Sequence, residues 1–218
     1  MRINERSSGL IEDFTGKIFH ILGCGAIGSS AATQLARMGA MEFVLYDLDK
    51  VEVQNVGVSH YIYQDIKKPK VVALHEHLKQ INPEIRAFEQ YGRFTKFIKT
   101  LGEGDIVILG FDSMESRLEG AEAALKRPNK PHLLIDGRMG AEEYHQFTLK
   151  QPTLKQYRDT WYSDNNAEDE PCNAKATSYC SNMSGAFIAN AIKKTLNNEP
   201  CPKQFFFTFP GLVLGKTE

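Results

Sequence analysis

Cysteine is scarce and unpaired in this chain: Cys24, Cys172, Cys180 and Cys201 include no CxxC and follow no regular spacing. That pattern excludes a standard zinc site and a disulfide framework, and it predicts a reducing compartment, the cytoplasm. Long apolar runs are missing too. No stretch approaches the roughly 20 residues of a membrane span, and the opening MRINERSSGL lacks the hydrophobic segment of a signal peptide. Neither sign of charge is in excess, since 26 Lys and Arg stand against 27 Asp and Glu spread over 218 residues. Nucleic acid and anionic membrane surfaces therefore have no electrostatic footprint here. There is no internal repeat and no low-complexity tract. The length suits one domain with a substantial core.

What the chain does have is glycine in one telling place. ILGCGAIGSS, residues 21–30, sets Gly23, Gly25 and Gly28 between an apolar run at 17–22, which reads as a buried strand, and helical spacing at 29–38. On a strand-to-helix turn, such glycines permit a tight bend, a close backbone approach to a phosphate, and close helix packing, while the first helical amides point at the anion. The motif alone does not separate NAD, FAD, S-adenosylmethionine and ATP, and a glycine turn of purely structural use has the same spelling. Asp47 follows Gly28 by 19 positions, at the end of a second apolar run, where an acidic side chain binds a ribose hydroxyl.

Further runs at 85–88, 105–109 and 132–135 read as strands, and 68–80, 94–101 and 116–125 as helices. Alternation of this kind predicts an α/β, doubly wound, mostly parallel Rossmann-like sheet. The polar, acidic stretch from about 151 to 175 breaks the regularity, before a helix at 184–196 and an aromatic strand at 205–209. The expected organisation is one domain over 1–218, with a nucleotide-binding core at 17–150, an irregular crossover loop at 151–180, and a C-terminal helix and strand at 181–218.

Four segments in order, GCGAIG, DLDKVEVQN, IKKPK and INP, resemble the ThiF/MoeB/HesA family of ubiquitin-activating-enzyme-like adenylyltransferases, in a small branch without zinc. The likeness runs over about residues 17–196. It implies ATP and Mg2+, adenylation of the C-terminal carboxylate of a small ubiquitin-like protein or peptide ending in glycine, and a homodimer. It implies that Gly23, Gly25, Gly28, Asp47 and Asp49 belong to the nucleotide site, with Asp47 on the ribose. Asn55 and Lys70 would contact phosphates, and Asp112 in GFDSMESR would hold magnesium. Cys180, after the irregular stretch and before a helix, stands where a transfer cysteine can sit, and a helix N-terminus there would favour its thiolate.

Each residue also has a plainer reading. Asp112 is equally a turn former or helix cap, Lys70 a solvated helix lysine, Asn55 a loop asparagine, and Cys180 and Cys24 small buried residues. Arg138 in DGRMG, at 136–140, suits either a substrate carboxylate or a structural ion pair. His75 and His77 flank Glu76 on one helix and point apart, so they are poor joint ligands and read as surface residues.

The sequence departs from the family's NLxRQ, since Val58 and Ser59 stand where arginine and glutamine would be. Valine offers no fork of donors to a phosphate. Arg2, Arg6 and Lys68 are the candidate replacements, the first two by reaching across a dimer. Without a replacement the chain reads as a noncatalytic subunit of a heteromeric activating enzyme. An NAD-dependent oxidoreductase is a weaker alternative, because no hydride-transfer acid-base pair is evident.

Overall fold

The computed structural model describes residues 3–7, 9–10, 14–97, 101–163 and 176–217. A single eight-stranded sheet runs through the molecule. Its strands are β1 (Ile18–Leu22), β2 (Glu42–Asp47), β3 (Arg86–Tyr91), β4 (Ile106–Leu109), β5 (Leu133–Gly140), β6 (Glu143–Lys150), β7 (Gln204–Thr208) and β8 (Val213–Thr217). Their spatial order is β3-β2-β1-β4-β5-β6-β7-β8. The first five strands in that order pair in parallel, and the last three add antiparallel. Because the chain moves from β1 outward through β2 and β3 and returns to place β4 on the other side of β1, a crevice opens at the carboxyl ends of β1 and β4.

The strands sort their side chains by alternation. Phe19, Ile21, Phe43, Leu45, Ile106 and Ile108 face one core, which α1 (Ala26–Arg37), α3 (Lys70–Ile81) and α6 (Ser178–Leu196) cover with Leu35, Leu74 and Ile188. Leu22, Val44, Tyr46, Val107 and Leu109 face the other, closed by α4 (Met114–Leu125) and by Tyr157 of the short α5 (Leu154–Arg158). Burial on both faces is why these strands are apolar throughout. Among the described residues no helix is long and apolar enough to cross a membrane.

Several expectations change. No helix forms over 94–97, while 98–100 lie outside the described residues. Phe94 and Phe97 instead pack edge-on to each other, with centroids 5.2 Å apart, and to Tyr46, so their apolar spacing serves an aromatic cluster. α1 begins three residues before the expected start, at Ala26, and α6 six residues earlier, at Ser178. The irregular stretch contains α5, whose Thr153 cap accepts the Gln156 N–H at 3.2 Å. β6, β8 and the four-residue α2 (Val53–Val56) are elements the periodicity did not mark.

Candidate functional site

The crevice is lined first by the glycine turn. Gly23 has φ +90° and donates its N–H to Tyr46 O at 2.8 Å, while Gly110 N–H reaches Leu22 O at 2.7 Å. A Cβ on Gly28 would lie 1.9 Å from Gly23 O, so only glycine lets α1 start this close to β1. Among the described residues no side chain caps α1. Its first-turn amides are therefore left to a ligand or to water.

Asp47 closes one side of the turn. Its Oδ2 accepts the Cys24 N–H at 2.7 Å and its Oδ1 the Asp49 N–H at 2.8 Å. Burial pushes its carboxyl above the ordinary carboxylate range, with the Asp49 charge adding to the push, and the Lys70 ammonium and the two N–H groups only partly offset this.

The DLDKV and IKKPK segments form one unit. Val51 N–H donates to Lys68 O at 2.8 Å, Lys67 N–H to Val51 O at 2.8 Å, and Lys70 N–H to Asp49 O at 2.9 Å. Lys70, the first residue of α3, is 9% exposed, and its Nζ donates to Asp49 Oδ2 at 2.8 Å. Burial lowers its pKa, but the nearby Asp47 and Asp49 carboxylates more than reverse this and leave it above the usual lysine value. Lys70 is thus a buried cation and not a solvated one. Tyr61, which no motif singles out, donates its hydroxyl to Cys24 O, with Lys70 O 3.3 Å away. It fastens the glycine turn to the start of α3.

Asn55 uses its Oδ1 to accept the Glu52 N–H at 2.9 Å, capping α2, and its amide nitrogen has no partner among the described residues. Asp112 lies beyond β4 on the other side of β1, exposed. The cap of α4 is Ser113, whose Oγ accepts the Ser116 N–H at 3.1 Å, so the Asp112 carboxylate is not the helix cap. The structure therefore brings Asp47, Asp49, Lys70 and the three glycines to one end of the sheet and sets Asp112 at the same end.

The other candidates fall elsewhere. Lys68 is held by Asp65 at 3.2 Å and Glu76 at 2.6 Å. Arg6 belongs to a turn that Asn4 pins to the C-terminal end of α1 through a 3.0 Å bond to Met38 O, whereas the glycine turn lies at the N-terminal end, about 18 Å along a helix of this length. Arg6 does not serve its own chain's glycine turn. Arg2 and Cys172 lie outside the described residues.

Cys180 requires a correction. It is the third residue of α6, buried, with its Sγ 3.6 Å from Glu143 O. Burial, helped by the charges of Glu142 and Glu143, pushes the thiol up to about 11. Desolvation outweighs the helix N-terminus, and the expected thiolate is not favoured.

Arg138 resolves as a structural ion pair. Its Nε and Nη2 hold Asp136 Oδ2 at 2.9 and 2.7 Å, its Nη1 holds Thr160 O at 2.8 Å, and the guanidinium lies 4.2 Å from the Phe147 ring centroid. No fork is left for a substrate carboxylate. His75 and His77 take different carboxylates, Glu89 and Asp65, each at 2.6 Å. They are thus half-buried and paired, not free at the surface. Among the described residues no group of three or more His, Cys, Asp or Glu gathers to hold a metal ion.

A sequence model described as the ThiF family matches residues 12–214. Ubiquitin-like modifier-activating enzyme 5 of Culex quinquefasciatus is 29% identical over 121 residues, covering 49% of this chain and 30% of that protein. The Dictyostelium discoideum protein of the same name is 32% identical over 120 residues, with 49% and 32% covered. This chain thus matches about a third of these relatives' length. Among solved structures, E. coli MccB with ATP superposes with TM-score 0.69 at 18% identity, over 94% of this chain and 64% of that one. PaaA superposes with TM-score 0.70 at 17% identity, again over 94% and 64%. Likeness at that identity shows a shared fold.

Proposed function

Because the chain belongs to the ThiF family, we propose that it binds ATP at the glycine turn and adenylates the C-terminal carboxylate of a small ubiquitin-like protein or peptide ending in glycine. The observation that carries this reading is the Lys70 ammonium, nearly buried against Asp49 beside the uncapped start of α1. A fixed cation next to free helical amides serves a triphosphate better than the single pyrophosphate bridge of NAD.

In the proposed reaction a carboxylate oxygen attacks the α-phosphorus, the bond to the β,γ-pyrophosphate breaks, and an acyl adenylate forms. Negative charge grows on the α-phosphate oxygens and the leaving group. Lys70, the first amides of α1 and the Asn55 amide are the donors that would meet it, and preorganised donors are the largest single source of such rate enhancement. Asp47 keeps lone pairs for ribose hydroxyls after accepting its two N–H groups. Asp112 suits magnesium, which binds through one or two carboxylates and retains waters, and which would neutralise charge on the leaving pyrophosphate. The buried Cys180 thiol takes no part in this step.

Val58 favours a second reading. Neither Arg6 nor Arg138 replaces the missing arginine from within the chain; a second copy that donated one from its N-terminal segment would make the active form a homodimer, and without a donor the chain would be a noncatalytic subunit. Calorimetry with ATP and Mg2+, and with NAD, tests the site. Saturable, magnesium-dependent ATP binding is expected, and tight NAD binding with no response to ATP overturns the proposal. ATP–pyrophosphate exchange with ubiquitin-like proteins ending in Gly-Gly separates the readings. Activity that falls when residues 1–8 are removed supports donation across a dimer. Absent exchange, with ATP binding gained on Val58→Arg, marks the noncatalytic subunit.

A further inference from the structure

A second cavity, of about 490 Å³, opens between the later turns of α1 and α3, where Thr33, Arg37, His60, His77 and Gln80 line it together with Ile3 and Ile81. It sits along α1 away from the glycine turn, and the adenylation reading makes no use of it. We propose that this groove binds a small molecule through an oxyanion, a phosphate or carboxylate group, held by Arg37 and His60. The proposal does not rest on the adenylation reading.

Three observations converge. Among the described residues the lining carries the Arg37 guanidinium, the imidazoles of His60 and His77, the Gln80 amide and the Thr33 hydroxyl, and no carboxylate. Arg37 is exposed and has no ion pair among the described residues, unlike Lys68, which two carboxylates hold nearby. His60 Nε2 is buried without a hydrogen-bond partner, although the ring is also bonded by Asn182. A buried ring nitrogen left unpaired is unfavourable, and an oxyanion that turns the His60 ring into the groove would accept the N–H of its neutral imidazole. His77 spends its Nε2 on Asp65 at 2.6 Å, and Asp65 is shared with Lys68 at 3.2 Å. Lys68, which Glu76 shares at 2.6 Å, offsets part of that carboxylate's charge. Arg37 sits in the last turn of α1, where its charge also offsets the negative end of the helix. Guanidinium recognition of phosphate and carboxylate is bidentate in both cases, so the ligand class is fixed more tightly than its identity.

The test is a titration of the full chain, labelled with 15N in its histidine rings, first with inorganic phosphate and then with acetate. Saturable shifts of the His60 and His77 ring signals are expected, weakened by about tenfold or more in Arg37→Ala and unchanged in Lys70→Ala, which alters only the glycine-turn site. Tighter phosphate assigns a phosphate ligand, and tighter acetate a carboxylate. The proposal is overturned by ring signals that do not respond to either anion, by equal affinity in wild type and Arg37→Ala, or by a response that disappears in Lys70→Ala. His60→Gln, which keeps a side-chain donor while removing the imidazole, should retain the His77 response and confirm that the groove is intact.

Discussion

Cys24 donates its backbone N–H to the Asp47 carboxylate at 2.7 Å, tying the end of β2 to the middle of the glycine turn. Because burial raises the Asp47 pKa in the folded chain, the native state binds this proton more tightly than the unfolded state does. Stability from this group is complete below the unfolded value of about 3.9 and is lost as pH rises through the folded value. Asp47→Asn cannot titrate. Its stability relative to wild type in urea unfolding should therefore rise as the pH climbs above about 4. A difference that stays flat or falls over that window contradicts the assignment.

Asp112 behaves differently because it is exposed and caps nothing. Asp112→Ala should leave the unfolding free energy within about 0.5 kcal/mol of wild type, as for most surface changes, while pyrophosphate exchange falls by orders of magnitude. An unchanged exchange rate removes Asp112 from the site.

Helix α6 crosses α1 at Gly185, where an added Cβ would stand 2.2 Å from Ser30 Oγ and 2.6 Å from the Ser30 carbonyl carbon. Backbone cannot give way as a flexible side chain can. Gly185→Ala should destabilise the protein by about 1–3 kcal/mol through overpacking, read from denaturant unfolding, with the site disturbed too because Ser181 Oγ bonds Ala26 O at 3.0 Å at the start of α1.

The parts of this molecule that showed in its sequence are those where period and burial agree. β1, β2 and β4 are apolar because both faces are covered, and the glycine turn is legible because Gly28 must approach Gly23. β6 stayed hidden because its inward face is a buried polar chain, Tyr144 OH to Gln146 Oε1 at 2.9 Å and Gln146 Nε2 to Thr148 Oγ1 at 3.0 Å, which does not read as a hydrophobic stripe. For the candidate site, the resemblance named Asp47, Lys70 and Asp112, all at one end of the sheet. It did not reveal the depth of Lys70, the Tyr61 fastener or the burial of Cys180, since each depends on contacts between segments remote in sequence.

Asp136 stands between two guanidiniums, with Arg117 on Oδ1 and Arg138 on Oδ2, and it also accepts the Tyr157 hydroxyl at 3.2 Å. All three charges are buried. Asp136→Ala leaves two arginines without their counter-charge and should cost about 3–5 kcal/mol, enough to prevent folding in a marginal domain. Replacing Arg138 by Met, which removes one charge and keeps the packing against Phe147, should be milder. A larger loss for Arg138→Met than for Asp136→Ala would place the main anchor in the Thr160 contact instead.

The thiols give a direct reading of whether covalent chemistry is available. Cys24 and Cys180 are buried, whereas Cys201 is half-exposed, and burial raises the pKa of all three. Only the thiolate is nucleophilic, so access should set the order at neutral pH. In a Cys172→Ser background, an alkylating reagent should modify Cys201 first. Cys180 should follow only as pH approaches about 11, or when denaturant opens the contact between α6 and β6. Mass spectrometry of the digested protein resolves the three sites. Rapid modification of Cys180 in the native chain at neutral pH would mean that its surroundings open far more readily than the packed helix implies, and would return this thiol to the transfer chemistry.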